Sequence, residues 1–310
     1  MDNELRPILF SVVIPTYNHA NFLKIALQSV IDQDYESWEA IVVDNNSSDN
    51  TKEVIDSFED SRIRVVSINN NGIIAASRNI GIKESSGDWI AFLDSDDKWY
   101  PSKLYDVNET IKCMPYYNVI SSDEIKVNEH KQKIKTLRFG PLPKKSYKHM
   151  LLYGNKLSTS ATVVKKSFII NQKITFNEHK NYITVEDYDF WLHVALNGAK
   201  FKFIPKINGE YLIHKTNNSL KEDIHYQNGL FLLNDHVFNI QSFTLSKEKL
   251  FRKVKTRLNI HKSFLKFEKN NPIPFFKAIV PIFIENPLNS ITYILARGFL
   301  YIYNKFPFLR

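Results

Sequence analysis

Short apolar runs alternate with amphipathic stretches over the first hundred residues. Ser11–Pro15 (SVVIP) predicts a buried strand, and Asn21–Ile31 follows with Phe22, Ile25, Ala26, Ser29 and Val30 at helical spacing. Trp38–Asp44 (WEAIVVD) predicts a second strand. SSDNTKEVIDSF then supplies capping residues ahead of a helix that turns Val54, Ile55 and Phe58 inward. Arg62–Ile68 reads as a third strand and Asn71-Gly72 as a turn. Ile73, Ala76 and Ile80 suit a third helix, and Trp89–Asp94 a fourth strand. This alternation implies right-handed crossovers and a mainly parallel α/β sheet.

The pattern then loosens. Residues 124–148 are basic and broken by Pro141 and Pro143, which predicts a hairpin or a loop. Ser158–Val164 predicts another strand. Val185–Leu196 (VEDYDFWLHVAL) sets Phe190, Trp191, Val194 and Ala195 at helical spacing. Glu186 and Asp187 fall at its start, where the helix dipole favours acids. From Ser246 the residues Leu250, Val254, Leu258 and Leu265 share a face, with Lys and Arg on the other positions. Residues 273–304 are rich in Ile, Leu, Phe and Tyr. The expected organisation is a catalytic domain over 8–220 and a helical extension over 221–310. That extension is expected to lie on an anionic membrane surface, to form a homodimer contact, or to join the chain's own core.

Composition changes the picture little. At 43% hydrophobic, the 310 residues can bury a sizeable core. Cys113 is the single cysteine, which excludes an intrachain disulfide and fits a reducing cytoplasm. The start lacks a signal-peptide pattern, and no apolar run is long enough to predict a membrane span. The expected location is cytoplasmic, extending to a peripheral position on the inner face of the cytoplasmic membrane. A charge of +8 points to anionic partners, and no nucleic-acid-binding motif accompanies it.

The candidate chemistry lies at the strand ends. Three strands finish on Pro15-Thr16-Tyr17, Asp44-Asn45-Asn46 and Asp94-Ser95-Asp96-Asp97, where an open α/β sheet binds its ligand. Three carboxylates in so short a run repel one another. A strand-end D-x-D suits a hard divalent cation beside a diphosphate. Such a turn can equally be a solvated helix cap.

The motifs SVVIPTYNHANFLKIALQSVIDQDY, AIVVDNNSSDNT and NNGIIAASRNIGIKESSGDWIAFLDSDD occur in one order and spacing. Together they resemble a family 2 glycosyltransferase with the GT-A fold. The resemblance is strong over residues 10–104, weaker to about 220, and absent beyond. It implies single-sugar transfer from a nucleotide diphosphate sugar, with UDP favoured, to a glycan or lipid-linked acceptor with inversion. A divalent cofactor, Mn²⁺ or Mg²⁺, is implied with it. Pro15 and Tyr17 match the turn flanking the base, and Asp44 the carboxylate accepting from the base ring N–H. Arg78 matches a residue lining the nucleotide pocket, and Asp94 and Ser95 donor-binding positions near the ribose. Asp96 matches the metal-binding acid, and Asp97 a structural residue. Asp187 matches the general base, with Asp189 the competing carboxylate. His214 resembles a late histidine that reaches the metal or the diphosphate, although Leu212 stands where Arg is usual. Asn45-Asn46 replaces the common Asp-Gly, and no Q-x-x-R-W is present, which argues against a processive synthase. The alternatives are a nucleotidyltransferase acting on sugar phosphates and a non-catalytic basic membrane-binding module.

Overall fold

The structure is a computed structural model that describes residues 6–70, 72–215 and 222–268. In chain order its first elements are β1 (Phe10–Thr16), α1 (Ala20–Ile31), β2 (Trp38–Asp44), α2 (Thr51–Asp56), β3 (Ile63–Ser67), α3 (Ile74–Glu84) and β4 (Trp89–Phe92). Next come β5 (Lys98–Trp99), α4 (Lys103–Cys113), β6 (Val119–Asn128), β7 (Lys133–Leu137), α5 (Ser146–Tyr153), β8 (Thr162–Lys165) and α6 (Lys166–Asn171). The remainder are α7 (Glu186–Leu196), β9 (Phe201–Ile213), α8 (Glu222–Asp235) and α9 (Lys247–Glu268). The chain divides into two compact units. One comprises Met1–Tyr147, Asn155–His179 and Glu186–Asn217, the other Lys148–Gly154, Lys180–Val185 and Asn218–Arg310.

The first unit is built on one mixed sheet in the order β3-β2-β1-β4-β8-β6-β9-β5, with β7 added to β6. β3, β2, β1 and β4 run parallel, so their carboxyl ends share one edge: Thr16 lies opposite Asp44, and Asp44 opposite Ser67. Phe10, Val12, Ile14, Ala40, Val42 and Ala91 fill the core against Leu23, Leu27 and Val30 of α1. Such near-continuous apolar strands suit a sheet covered on both faces. Gly81 of α3 lets that helix approach β1, since a Cβ there would lie 2.3 Å from Val13 Cγ1.

One expected helix face differs from that observed. α1 buries Leu23, Ala26, Leu27, Ser29 and Val30, while Ile25 is exposed. Leu23 and Leu27 complete a contiguous i, i+4 stripe with Ala26 and Val30 that Phe22 and Ile25 do not. Phe22 instead packs on His214, with ring centroids 4.5 Å apart. In the second unit, Leu250, Val254 and Leu258 of α9 are buried. Leu258 packs on Gly229 of α8, and Phe251 on Phe238. Of the membrane, dimer and core placements expected for this face, its described residues Leu250, Val254 and Leu258 are seen packed within their own unit. The segment 273–304 and Asn71 lie outside the described residues. Among the described residues, no helix is long and apolar enough to cross a membrane.

Candidate active site

The site forms where β1, β2 and β4 end. β4 stops at Phe92, Leu93 N–H donates to Val13 O (3.1 Å), and the chain turns with Asp97 N–H donating to Asp94 O (3.0 Å). The three crowded carboxylates are divided among separate partners. Asp94 accepts from Arg78 (2.7 Å), and Asp96 Oδ2 lies 2.8 Å from His214 Nε2. Asp97 is buried, accepting from Ser160 Oγ (2.5 Å) and Leu212 N–H (3.1 Å). Burial, then the charges of Asp96, Glu124 and Asp94, push Asp97 well above the usual carboxylate range. Pairing with Arg78 and His214 offsets the charge of Asp94 and Asp96, while burial disfavours the ionised form of Asp97.

Asp97 and Ser160 tie three segments together. Ser160 Oγ accepts from Asp94 N–H (3.1 Å) while donating to Asp97, and its carbonyl accepts from Trp99 Nε1 (2.7 Å). Leu212 belongs to β9, two residues before His214. The clamp on Leu212 therefore brings the β9 end to the turn that carries Asp96. His214 is only 3% exposed, held by Phe22 and facing His19, whose Nδ1 lies 3.1 Å from Ser95 Oγ.

Arg78 is 2% exposed. It spans from Asp94 to Glu186 Oε1 (2.9 Å), with its guanidinium 5.3 Å from the Phe176 ring. Burial opposes its charge, but the carboxylates of Asp94 and Glu186 hold it firmly protonated. It thus joins α3, the D-x-D turn and the start of α7. Asn79 pins the neighbouring segment by pairing with both backbone groups of Phe176 (2.8 and 2.9 Å), and Phe176 stacks on Phe190 of α7. Arg78→Lys should keep the charge but lose one of the two contacts. We expect a stability loss of about 1.5–3 kcal/mol, read from denaturant midpoints at constant m-value.

Asp187 opens α7 and is half-buried. Its Oδ1 accepts from Tyr188 N–H (2.7 Å) and its Oδ2 from Asn155 Nδ2 (3.1 Å). Burial raises its pKa, opposed by Arg78 and assisted by Asp94. Asp189, one turn position on, is fully buried with His193 Nε2 3.7 Å away.

Tyr17 stands 53% exposed at the mouth. Asp44 Oδ1 accepts from Ser47 N–H (3.2 Å) and Ser47 Oγ (2.5 Å), shaping the loop that Asn45-Asn46 opens. Pro15 is buried in β1 opposite Val43, past the last β1–β4 pair, where a missing N–H breaks no ladder bond. Ser160, Asn155 and His19 were not legible as site residues. They sit outside any acidic motif, in loops that only the tertiary fold brings beside the D-x-D turn (Ser160 and His19) or Asp187 (Asn155).

A second buried charge pair lies behind the turn. Lys103 Nζ donates to Ser122 Oγ (2.9 Å) and to the Ala161 carbonyl, and burial pulls its pKa down to about 8 against the pull of Glu124 and Asp106. Burial likewise pushes Glu124 up from 4.5 to about 7, against the Ser158 hydroxyl and Lys103. The folded state keeps this proton after the unfolded chain has released it. Stability from Glu124 is therefore full below about pH 4.5 and is lost as pH rises to about 7. We expect a fall of about 1–3 kcal/mol across that window, absent in Glu124→Gln, measured by urea unfolding at stepped pH.

A mixed α/β sheet whose parallel half gathers acids, an imidazole and an exposed aromatic at its carboxyl edge is an arrangement suited to a nucleotide-dependent transferase. Residues 11–174 match the family described as Glycosyl transferase family 2, and the chain belongs to it. It is a glycosyltransferase with the GT-A fold. It is 30% identical over 225 residues to the Escherichia coli UDP-Glc:alpha-D-GlcNAc-diphosphoundecaprenol beta-1,3-glucosyltransferase WfaP, covering 72% of this chain and 85% of that protein. The structure of S. aureus TarS 1-349 in complex with UDP-GlcNAc superposes with a TM-score of 0.64 at 20% identity, over 92% of this chain and 84% of that one. The mannosyltransferase PcManGT from Pyrobaculum calidifontis, in complex with GDP-Man and Mn2+, gives 0.60 at 15% identity over 97% and 82%. The two structures carry the fold alone.

Proposed function

We propose that the chain transfers one sugar from a UDP-sugar to a glycan or lipid-linked glycan acceptor, with inversion. The observation that carries this reading is the convergence of Asp96 and His214 at 2.8 Å beside Asp94, at the end of the sheet that also bears Tyr17 and Asp44. The choice of UDP and of a diphospholipid-linked acceptor is supported by the name of the Escherichia coli relative.

The donor set fits a divalent cation. One hard carboxylate oxygen and one imidazole nitrogen lie 2.8 Å apart, and a metal bound through so few protein ligands completes its shell with phosphate and water. Asp96 and His214 would hold it, the imidazole favouring Mn²⁺ over Mg²⁺. When bound, the cation would offset the charge of the departing diphosphate as a Lewis acid. Tyr17 would flank the base and Asp44 would accept from its ring N–H. Asp94, fixed by Arg78, would lie near the ribose.

Asp187 would take the acceptor's hydroxyl proton onto a carboxylate oxygen. The acceptor oxygen attacks the anomeric carbon as the carbon–oxygen bond to the diphosphate breaks. A single displacement inverts the centre. Proton NMR of the product tests this: an α-linked UDP-sugar should give a β linkage, and an α product would overturn the single displacement.

A further inference from the structure

Residues 126–145 hold seven Lys or Arg and one acid, a surplus of six in a chain whose whole surplus is eight. Six of the seven, Lys131, Lys133, Lys135, Arg138, Lys144 and Lys145, are exposed. They sit on the β6–β7 hairpin and the loop after it. Within the hairpin Lys126 faces Lys135 across the ladder, a like-charge register that disfavours the pairing. The register also slips there. Lys126 pairs with Lys135 and Val127 with Lys133, which leaves Ile134 as the extra residue of a bulge. Ile134 is 51% exposed, between two lysines.

Among the described residues β7 pairs only with β6, and edge strands carry lysines to block pairing with other chains. That role needs few charges. It does not call for a run that continues to Lys145, nor for an isoleucine turned out of the ladder among them. A cluster of cations around a protruding apolar side chain is the chemistry of an anionic bilayer interface: charge attracts the protein, and the apolar residue enters below the headgroups. The hairpin also stands beside the site. Asn128 pairs with Ile213, the residue before His214, and Lys215 N–H donates to Glu129 (3.3 Å).

We infer that the β6–β7 hairpin and its following loop dock the catalytic unit on an anionic membrane surface, with Ile134 inserted. This places the bilayer next to the strand end that carries His214. It complements the proposed lipid-linked acceptor but stands on the hairpin's own charge and exposure.

The test is co-sedimentation of the full chain with vesicles of phosphatidylcholine, and of equal parts phosphatidylcholine and phosphatidylglycerol. Binding is expected to the second only, and to be released by salt. Reversing Lys131, Lys133 and Lys135 to Glu should lower the partition coefficient about 100-fold or more. Ile134→Ser should lower it by up to about tenfold at unchanged charge. Mn²⁺-dependent UDP binding, measured on the same samples, should be unchanged in both variants, which separates a failure here from a failure of the functional reading. Failure of the wild-type protein to sediment, or full binding by the reversed variant, overturns the inference. Indifference to Ile134→Ser together with equal binding to heparin would also overturn it, and would identify a polyanion surface instead.

Discussion

Asp187→Asn is expected to lower kcat by about 10²–10⁴-fold while leaving donor affinity nearly unchanged. An acceptor hydroxyl is a poor nucleophile until its proton leaves. The amide has the shape of the carboxylate but cannot take that proton. Tyr188 N–H and Asn155 Nδ2 donate to the two oxygens of Asp187, so the amide keeps one of these bonds and turns its own NH2 toward the other donor, a local cost to be read separately from kcat by thermal unfolding. Burial raises the Asp187 pKa, which makes it a stronger base than an exposed aspartate. The sign follows directly. The acid limb of kcat should lie above the ordinary aspartate range, with activity lost as pH falls through the raised pKa. Asp189 is the control. It is sealed in α7 beside His193, and Asp189→Asn should affect stability more than the acid limb. If Asp189→Asn removed the limb and Asp187→Asn did not, the base would be the other carboxylate.

Asp96→Asn is expected to reduce turnover by about 10³-fold, because charge stabilisation of the leaving diphosphate contributes several kcal/mol. His214→Ala should weaken Mn²⁺ binding, read by electron paramagnetic resonance of the free ion, with a smaller loss at saturating metal. Neither change should unfold the unit. The clamp that shapes the turn uses Asp97, Ser160 and Leu212 rather than these side chains. Retention of full activity by Asp96→Asn would reassign the metal role.

Much of the parallel half was legible because its signals are local. WEAIVVD has the same bounds as β2, and the alternation of apolar strand and amphipathic helix predicted the four strands that run parallel in the sheet. Acids at strand ends follow from the same alternation. What escaped is long-range. β6 carries the buried Glu124 and lies between β8 and β9, yet its basic continuation reads as a surface hairpin. The face of α1 shifted because four residues, not one periodic count, decide which stripe meets the sheet. Arg78 reads as a pocket residue by motif; in the fold its two terminal nitrogens also pair with Asp94 and Glu186, whose sequence separations are 16 and 108 residues. No local pattern encodes a pairing over that span. The α9 stripe was correctly amphipathic, but amphipathicity alone does not say whether lipid or α8 covers it.

Release of UDP from UDP-glucose and other UDP-sugars by the purified full chain, with a diphospholipid-linked acceptor present, tests the central claim most directly. The account predicts transfer in Mn²⁺, arrest by EDTA, recovery on adding Mn²⁺ back, and no recovery in Asp96→Asn. Transfer that proceeds equally in EDTA, or a wild-type protein that turns over no nucleotide sugar, would contradict it.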